Sequence, residues 1–157
     1  MQARFVAYFL AFVLTLSCIP AFAGWTKSLE KDAFDDKVFN LWFSASRISG
    51  GDQFVFGCDN EGALSLYWQV GKEQSGIMAM DMGVVIRLDA EPAFEEDWKW
   101  TPAQATVRPK DASAFLKKIL SKKKFAIKTA LGGDVGIFDI SGANKAYQEA
   151  KNTCKLK

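Results

Sequence analysis

Cys58 and Cys154 stand about 100 residues apart and constrain the architecture more than any other pair. The N-terminus is what makes them a pair. Arg4 and the free amine form a short positive region, Phe5 to Leu16 is an apolar run, and Ala21-Phe22-Ala23 places small residues ahead of Gly24. This pattern reads as an export signal over residues 1–23, cleaved near Ala23-Gly24, with residues 24–157 left as a single secreted β-rich domain. The apolar run is too short for the roughly 20 residues that a membrane-spanning helix needs. Cys18 goes with the signal, because Thr15 stands where a lipoprotein signal carries leucine. The expected location is periplasmic or secreted, and in such an oxidising compartment the two remaining cysteines favour one disulfide.

Local patterning turns both sulfurs inward. Phe54, Phe56 and Cys58 alternate onto one face of a strand. Ala143, Ala146, Tyr147, Ala150 and Cys154 form a stripe at helical spacing. A bridge between them is expected to tie the last helix onto a sheet.

The remaining elements follow from the same two periods. Phe39, Leu41, Phe43 and Ala45 alternate along a first strand with Trp42 on the opposite face, and Gln53 to Cys58 forms a second. The turn at Asn60-Glu61-Gly62 leads to Leu64, Leu66, Trp68 and Val70 on a third. Val84 to Leu88 reads as a fourth strand, and Trp98-Lys99-Trp100 begins another before Pro102. Asp111 is a candidate N-cap for a helix that buries Phe115, Leu116, Ile119 and Leu120. Phe125 to Leu131 and Val135 to Ile140 pair as a hairpin through Gly132-Gly133, and Ser141 caps the terminal helix. The fold class is therefore α+β: an antiparallel meander or sandwich with two helices packed on it and one disulfide. No repeat or linker divides it. Apolar residues at 49% and a mean hydropathy of −0.02 fit a folded body rather than a disordered chain.

Function is narrowed mainly by what is missing. The chain has no histidine, which excludes Ser-His-Asp and Cys-His catalysis and His-ligated zinc. Its net charge of +2 gives no reason to expect nucleic acid. Four groups remain as candidate sites. Trp98 and Trp100 on one strand face form a candidate binding platform for a glycan or protein, joined by Tyr67 and Trp42. Met78, Met80 and Met82, alternating along a strand, offer thioethers suited to Cu(I), with core filling as the plainer role. Asp89, Glu91, Glu95, Glu96 and Asp97 could hold calcium or supply a carboxylate pair for glycoside cleavage, though their spacing matches no EF-hand; Arg87 and Asp89 read as a surface ion pair. Lys117, Lys118, Lys122, Lys123 and Lys124 form a candidate basic patch for an anionic membrane surface. The reading that survives is a non-enzymatic binding or accessory protein with no cofactor, acting on a protein or envelope component. A small-ligand module and a carboxylate-dependent hydrolase are the alternatives.

Several of these segments occur together in one known pattern. Val85-Ile86-Arg87-Leu88-Asp89, Trp98 after an acidic stretch, a helix with Phe115 and Leu116, and Phe138-Asp139-Ile140-Ser141-Gly142 followed by Ala146 and Cys154 resemble the invasion-associated locus B group and related periplasmic accessory proteins found near type VI secretion loci. Cys58-Asp59-Asn60 is similar to that group's first half-cystine region. The resemblance covers roughly residues 38 to 154; the Met78–Met82 and Lys122–Lys124 runs lie outside the pattern. It implies a small secreted β-rich domain with one disulfide, no established catalytic site, and an envelope or host-interaction role.

Overall fold

The computed structural model describes residues 24–31, 37–48, 50–71, 78–101, 105–130 and 133–154. The export-signal segment with Cys18, Pro102, and the Leu131-Gly132 part of the hairpin turn lie outside the described residues. Among those described, nine strands form one antiparallel sheet. In chain order they are β1 (Thr26–Lys31), β2 (Val38–Ala45), β3 (Gln53–Cys58), β4 (Leu64–Gln69), β5 (Met80–Leu88), β6 (Phe94–Thr101), β7 (Thr106–Pro109), β8 (Lys124–Thr129) and β9 (Val135–Asp139). Helix α1 (Ala112–Ile119) follows β7, and α2 (Ala143–Cys154) ends the described chain. The spatial order is β1-β2-β3-β4-β7-β6-β5-β8-β9.

The sheet curls until its last strand returns to β2. Ser46 and Phe138 form an isolated antiparallel bridge, and the Arg47 N–H donates to the Ile137 carbonyl at 2.8 Å. Aromatic rings fill the interior so formed. Phe54 from β3 lies 4.6 Å from Phe125 of β8 and 5.8 Å from Phe138 of β9, so the core is packed across the curl rather than along it. Trp42 stacks on Phe56 at 5.7 Å, and Phe115 of α1 meets Trp98 edge-on at 4.9 Å.

Each helix closes the interior by a mechanism visible in its sequence. Asp111 is extended and its Oδ1 accepts from the Ala114 N–H at 2.9 Å, which satisfies an otherwise orphaned donor of α1. Asp111→Ala is expected to cost about 1 kcal/mol of unfolding free energy. Thermal melts of the two proteins would check this, and equal midpoints would show that the cap is dispensable. Helix α2 lays Ala143, Ala146, Ala150 and Cys154 onto the sheet. Cys58 and Cys154 are bonded, with Cα atoms 6.0 Å apart. A short ionic cluster reinforces the same junction: Lys27 of β1 donates to Glu149 of α2 at 2.8 Å and sits over the Trp42 ring, whose indole N–H also reaches Glu149.

Several expectations need correction. Strands β1 and β7 have no counterpart in the sequence reading, because Thr26–Lys31 is polar and Thr106–Pro109 is short. Ser141 does not cap α2. Its amide donates to Asp139 Oδ1 at 3.0 Å, and Gly142, with φ of 81°, occupies the residue before the helix. In β2 the expected alternation holds, and the structure assigns the faces: Trp42 and Ser44 are buried inside, and Phe39, Leu41 and Phe43 lie on the outer face. Trp42 brings the largest apolar surface into the core, and the Ser44 hydroxyl is satisfied there by the Asp139 carbonyl at 2.9 Å.

Candidate functional site

The outer face of the β1-β2-β3-β4-β7 half of the sheet carries the largest cavity described, a groove of about 520 Å³. That is the size range of small-molecule sites. Strand register sorts its lining into rows. Phe43, Val55 and Tyr67 lie side by side across β2, β3 and β4 and form a mostly apolar strip, with the Arg108 guanidinium 5.3 Å from the centre of the Tyr67 ring. On one side runs a polar row of Gln53, Gln69 and Thr106. On the other run Ser28, Leu41 and Ser65, with Gly57 between the last two. A Cβ at Gly57 would stand 2.3 Å from the Asn40 carbonyl oxygen and 2.7 Å from the Leu41 side chain, so glycine is what lets Leu41 lie over β3. Glu30 and Phe39, cross-strand partners, complete the rim.

The electrostatics of the groove are nearly balanced. Among the described residues, Glu30 and Arg108 are its only ionic lining residues, and they have opposite signs. Burial, assisted by the negative charge of Glu30 and opposed by Arg108, pushes the Tyr67 phenol above its ordinary value, so it stays a protonated hydrogen-bond donor at neutral pH. Thr106 is only 3% exposed, and its Oγ1 meets no hydrogen-bond partner among the described residues. A buried hydroxyl left so is a ready partner for a polar group entering the groove.

The sites read from sequence are distributed differently. Trp98 and Trp100 are 0% and 1% exposed, which overturns the indole platform. The larger apolar side chains of β6 point into the core because burial, not display, recovers their surface. Trp42 is buried with them, whereas Tyr67 faces outward, away from all three indoles. Of the three methionines, Met80 and Met82 share a face of β5, with Met82 packed against the core beside Trp98 as a gap filler is, whereas Met78 precedes the strand and is 84% exposed.

The acidic and basic runs turn out to serve one another. Lys118 of α1 pairs with Glu96 at 2.5 Å, Lys122 with Glu91, and Lys110 reaches Asp81 and Asp97 at 3.3 and 3.8 Å. The carboxylates therefore disperse onto lysines instead of converging. Among the described residues no group of three or more His, Cys, Asp or Glu side chains is placed to hold a metal ion. The lysine patch loses part of its field to the same pairs, and such exposed pairs contribute little stability each.

Asp89 does not pair with Arg87 as expected; its φ is 51°, and its Oδ1 accepts the N–H groups of Lys123 and Lys124 at 2.9 and 2.8 Å, fastening the end of β5 to the start of β8. Those hydrogen bonds hold the Asp89 carboxyl below the usual aspartate range. The Ser141 hydroxyl and amide do the same for Asp139, with Arg47 adding to the effect. Lys27 hydrogen bonding does so for Glu149. Because the folded values are depressed, these groups contribute stability that is present above about pH 4 and is lost as pH falls through the lowered values. Chemical denaturation of wild type and Asp89→Asn between neutral pH and pH 2 should show a shallower acid decline in the variant; superimposable declines would refute the assignment.

Sequence reasoning missed most of the groove because alternation did not say which face of β2 carries Phe39, Leu41 and Phe43, and because it did not find the strands that supply Ser28, Glu30, Thr106 and Arg108. One signal was present: Val55 and Gly57 alternate with Phe54, Phe56 and Cys58, so β3 is apolar on both faces and its outer face must also be covered or used. No helix among the described residues is long and apolar enough to cross a membrane. No family model, no curated protein and no solved structure matches this chain.

Proposed function

We propose that this chain is an exported, non-catalytic binding protein of the bacterial envelope or its surroundings, and that its ligand is held in the groove on the outer face of β1-β2-β3-β4-β7. The observation that carries this reading is the pair of rings Phe43 and Tyr67, half-buried on either side of buried Val55 on the outer face of a sheet whose core is already filled by tryptophan and phenylalanine. Binding is favoured over hydrolysis by the lining itself. Among the described residues Glu30 is its single carboxylate, and glycoside cleavage in most families uses two. Export is supported by the signal pattern of residues 1–23 and by the disulfide.

A photo-crosslinking residue at Ser65, inside the groove, and another at exposed Lys151 on α2, on the opposite side of the sheet, would test this in intact cells. An adduct formed from position 65 and not from position 151 is the expected result. Equal labelling from both positions, or turnover of a substrate by the purified protein, would overturn it.

A second reading, protein contact as an accessory factor, is favoured by β1. It is an edge strand with Leu29 68% exposed, and such an edge can accept another chain by strand addition. Lys27, Glu30 and Lys31 on the same strand limit indiscriminate pairing.

A further inference from the structure

The chemistry of the groove points beyond an unspecified ligand. We infer that the site takes a neutral oligosaccharide chain, laid across the strands with its sugar faces on the Phe43-Val55-Tyr67 strip and its hydroxyls on the flanking polar rows. This inference rests on the proposed binding role of the same groove.

Five observations support it. Sugars are amphipathic, with C–H faces that pack on aromatic rings and hydroxyl edges that need donors and acceptors. The groove has that arrangement: an apolar and aromatic strip between Gln53, Gln69 and Thr106 on one side and Ser28 and Ser65 on the other. Amide and hydroxyl groups each both donate and accept, which suits a hydroxyl partner that does the same. A fatty acyl chain would leave these groups without partners on desolvation, which is unfavourable.

Charge argues the same way. Among the described residues one glutamate and one arginine of opposite sign line the groove, so these side chains present no single-sign field to a polyanion or a polycation. The Arg108 guanidinium is held over the Tyr67 ring, which fixes that ring as a platform before ligand arrives. Size also fits. Five strands at about 4.8 Å spacing extend the face over roughly 19 Å, room for a chain of several sugar rings. Thr106 supplies the independent sign of a missing partner: at 3% exposure, with a hydroxyl that meets none among the described residues, it lies at the β7 end of the polar row.

The test is amide chemical-shift mapping of the isotope-labelled full domain with four neutral probes: maltohexaose, cellohexaose, chitohexaose and xylohexaose. Decanoate serves as an apolar comparison. The expected result is saturable shifts from at least one saccharide, in the millimolar range or tighter, centred on Phe43, Val55, Tyr67, Gln69 and Thr106. Tyr67→Ala should weaken that binding by about tenfold or more, and Gln69→Ala, which alters an exposed side chain, by several fold with the unbound spectrum otherwise retained. Groove shifts with decanoate and none with any saccharide would overturn the glycan inference while leaving the groove a binding site. Absence of shifts with all five probes would overturn both. Saccharide shifts confined to another face would overturn the assignment to this groove.

Discussion

Replacing both Cys58 and Cys154 by alanine is expected to lower the unfolding free energy by about 4 to 5 kcal/mol, the largest single loss in the molecule. The bridge closes a loop across a sequence separation of 96 residues, so in the chain-entropy description it removes a large share of the unfolded chain's freedom. Its position adds a local consequence. α2 carries short side chains on its buried stripe, alanines at 143, 146 and 150, and these bury little area for a twelve-residue helix. The helix therefore relies on Cys154, on Tyr147 and on the Glu149 contacts with Lys27 and Trp42. Reduction should release α2 before the sheet melts. Hydrogen exchange with and without reductant would show this as early loss of protection over residues 143–154, with β3 and β8 still protected. Uniform loss, or an unchanged denaturation midpoint in the double variant, would contradict the argument.

Phe54→Ala should be nearly as damaging, at about 3 to 5 kcal/mol. Phe54 is fully buried and touches the rings of Trp25, Phe115, Phe125 and Phe138, which come from the N-terminal segment, α1, β8 and β9. Its removal leaves a cavity at the one place where all these elements meet, and close-packed surroundings relax only partly into such a space. Phe39→Ala provides the contrast. That ring is half-buried on the outer rim of the groove, so its loss should cost only about 1 kcal/mol. Urea titrations of the two variants side by side would decide it. Equal losses would mean that the inner and outer faces of β2 have been assigned the wrong way round.

The two faces of β2 show where reading a sequence meets its limit. Period-two alternation says that Phe39, Leu41 and Phe43 share a face and that Trp42 does not, and both statements hold in the structure. It does not say which face is inside, since a shift of one residue exchanges the two sets. That choice depended on Phe56 stacking under Trp42 and on a carbonyl at Asp139 to satisfy Ser44, partners 14 and 95 residues away. The same limit applied to Trp98 and Trp100. Their shared face was legible, but its burial involved α1 bringing Phe115 against Trp98.

By itself, the chain determined the α+β class, the cores of most strands, the Asp111 cap, the helical stripe ending at Cys154 and the pairing of that cysteine with Cys58. These rest on short-range periodicity, local hydrogen bonding and the scarcity of thiols, which can be read without knowing the partners. Tertiary structure alone decided that the sheet curls back on itself, that acidic and basic runs neutralise one another, and that a mixed apolar and polar groove lies on the outside. Each of those outcomes depends on contacts between segments far apart in sequence, and the energy that selects one face or one partner exists only once both are brought together.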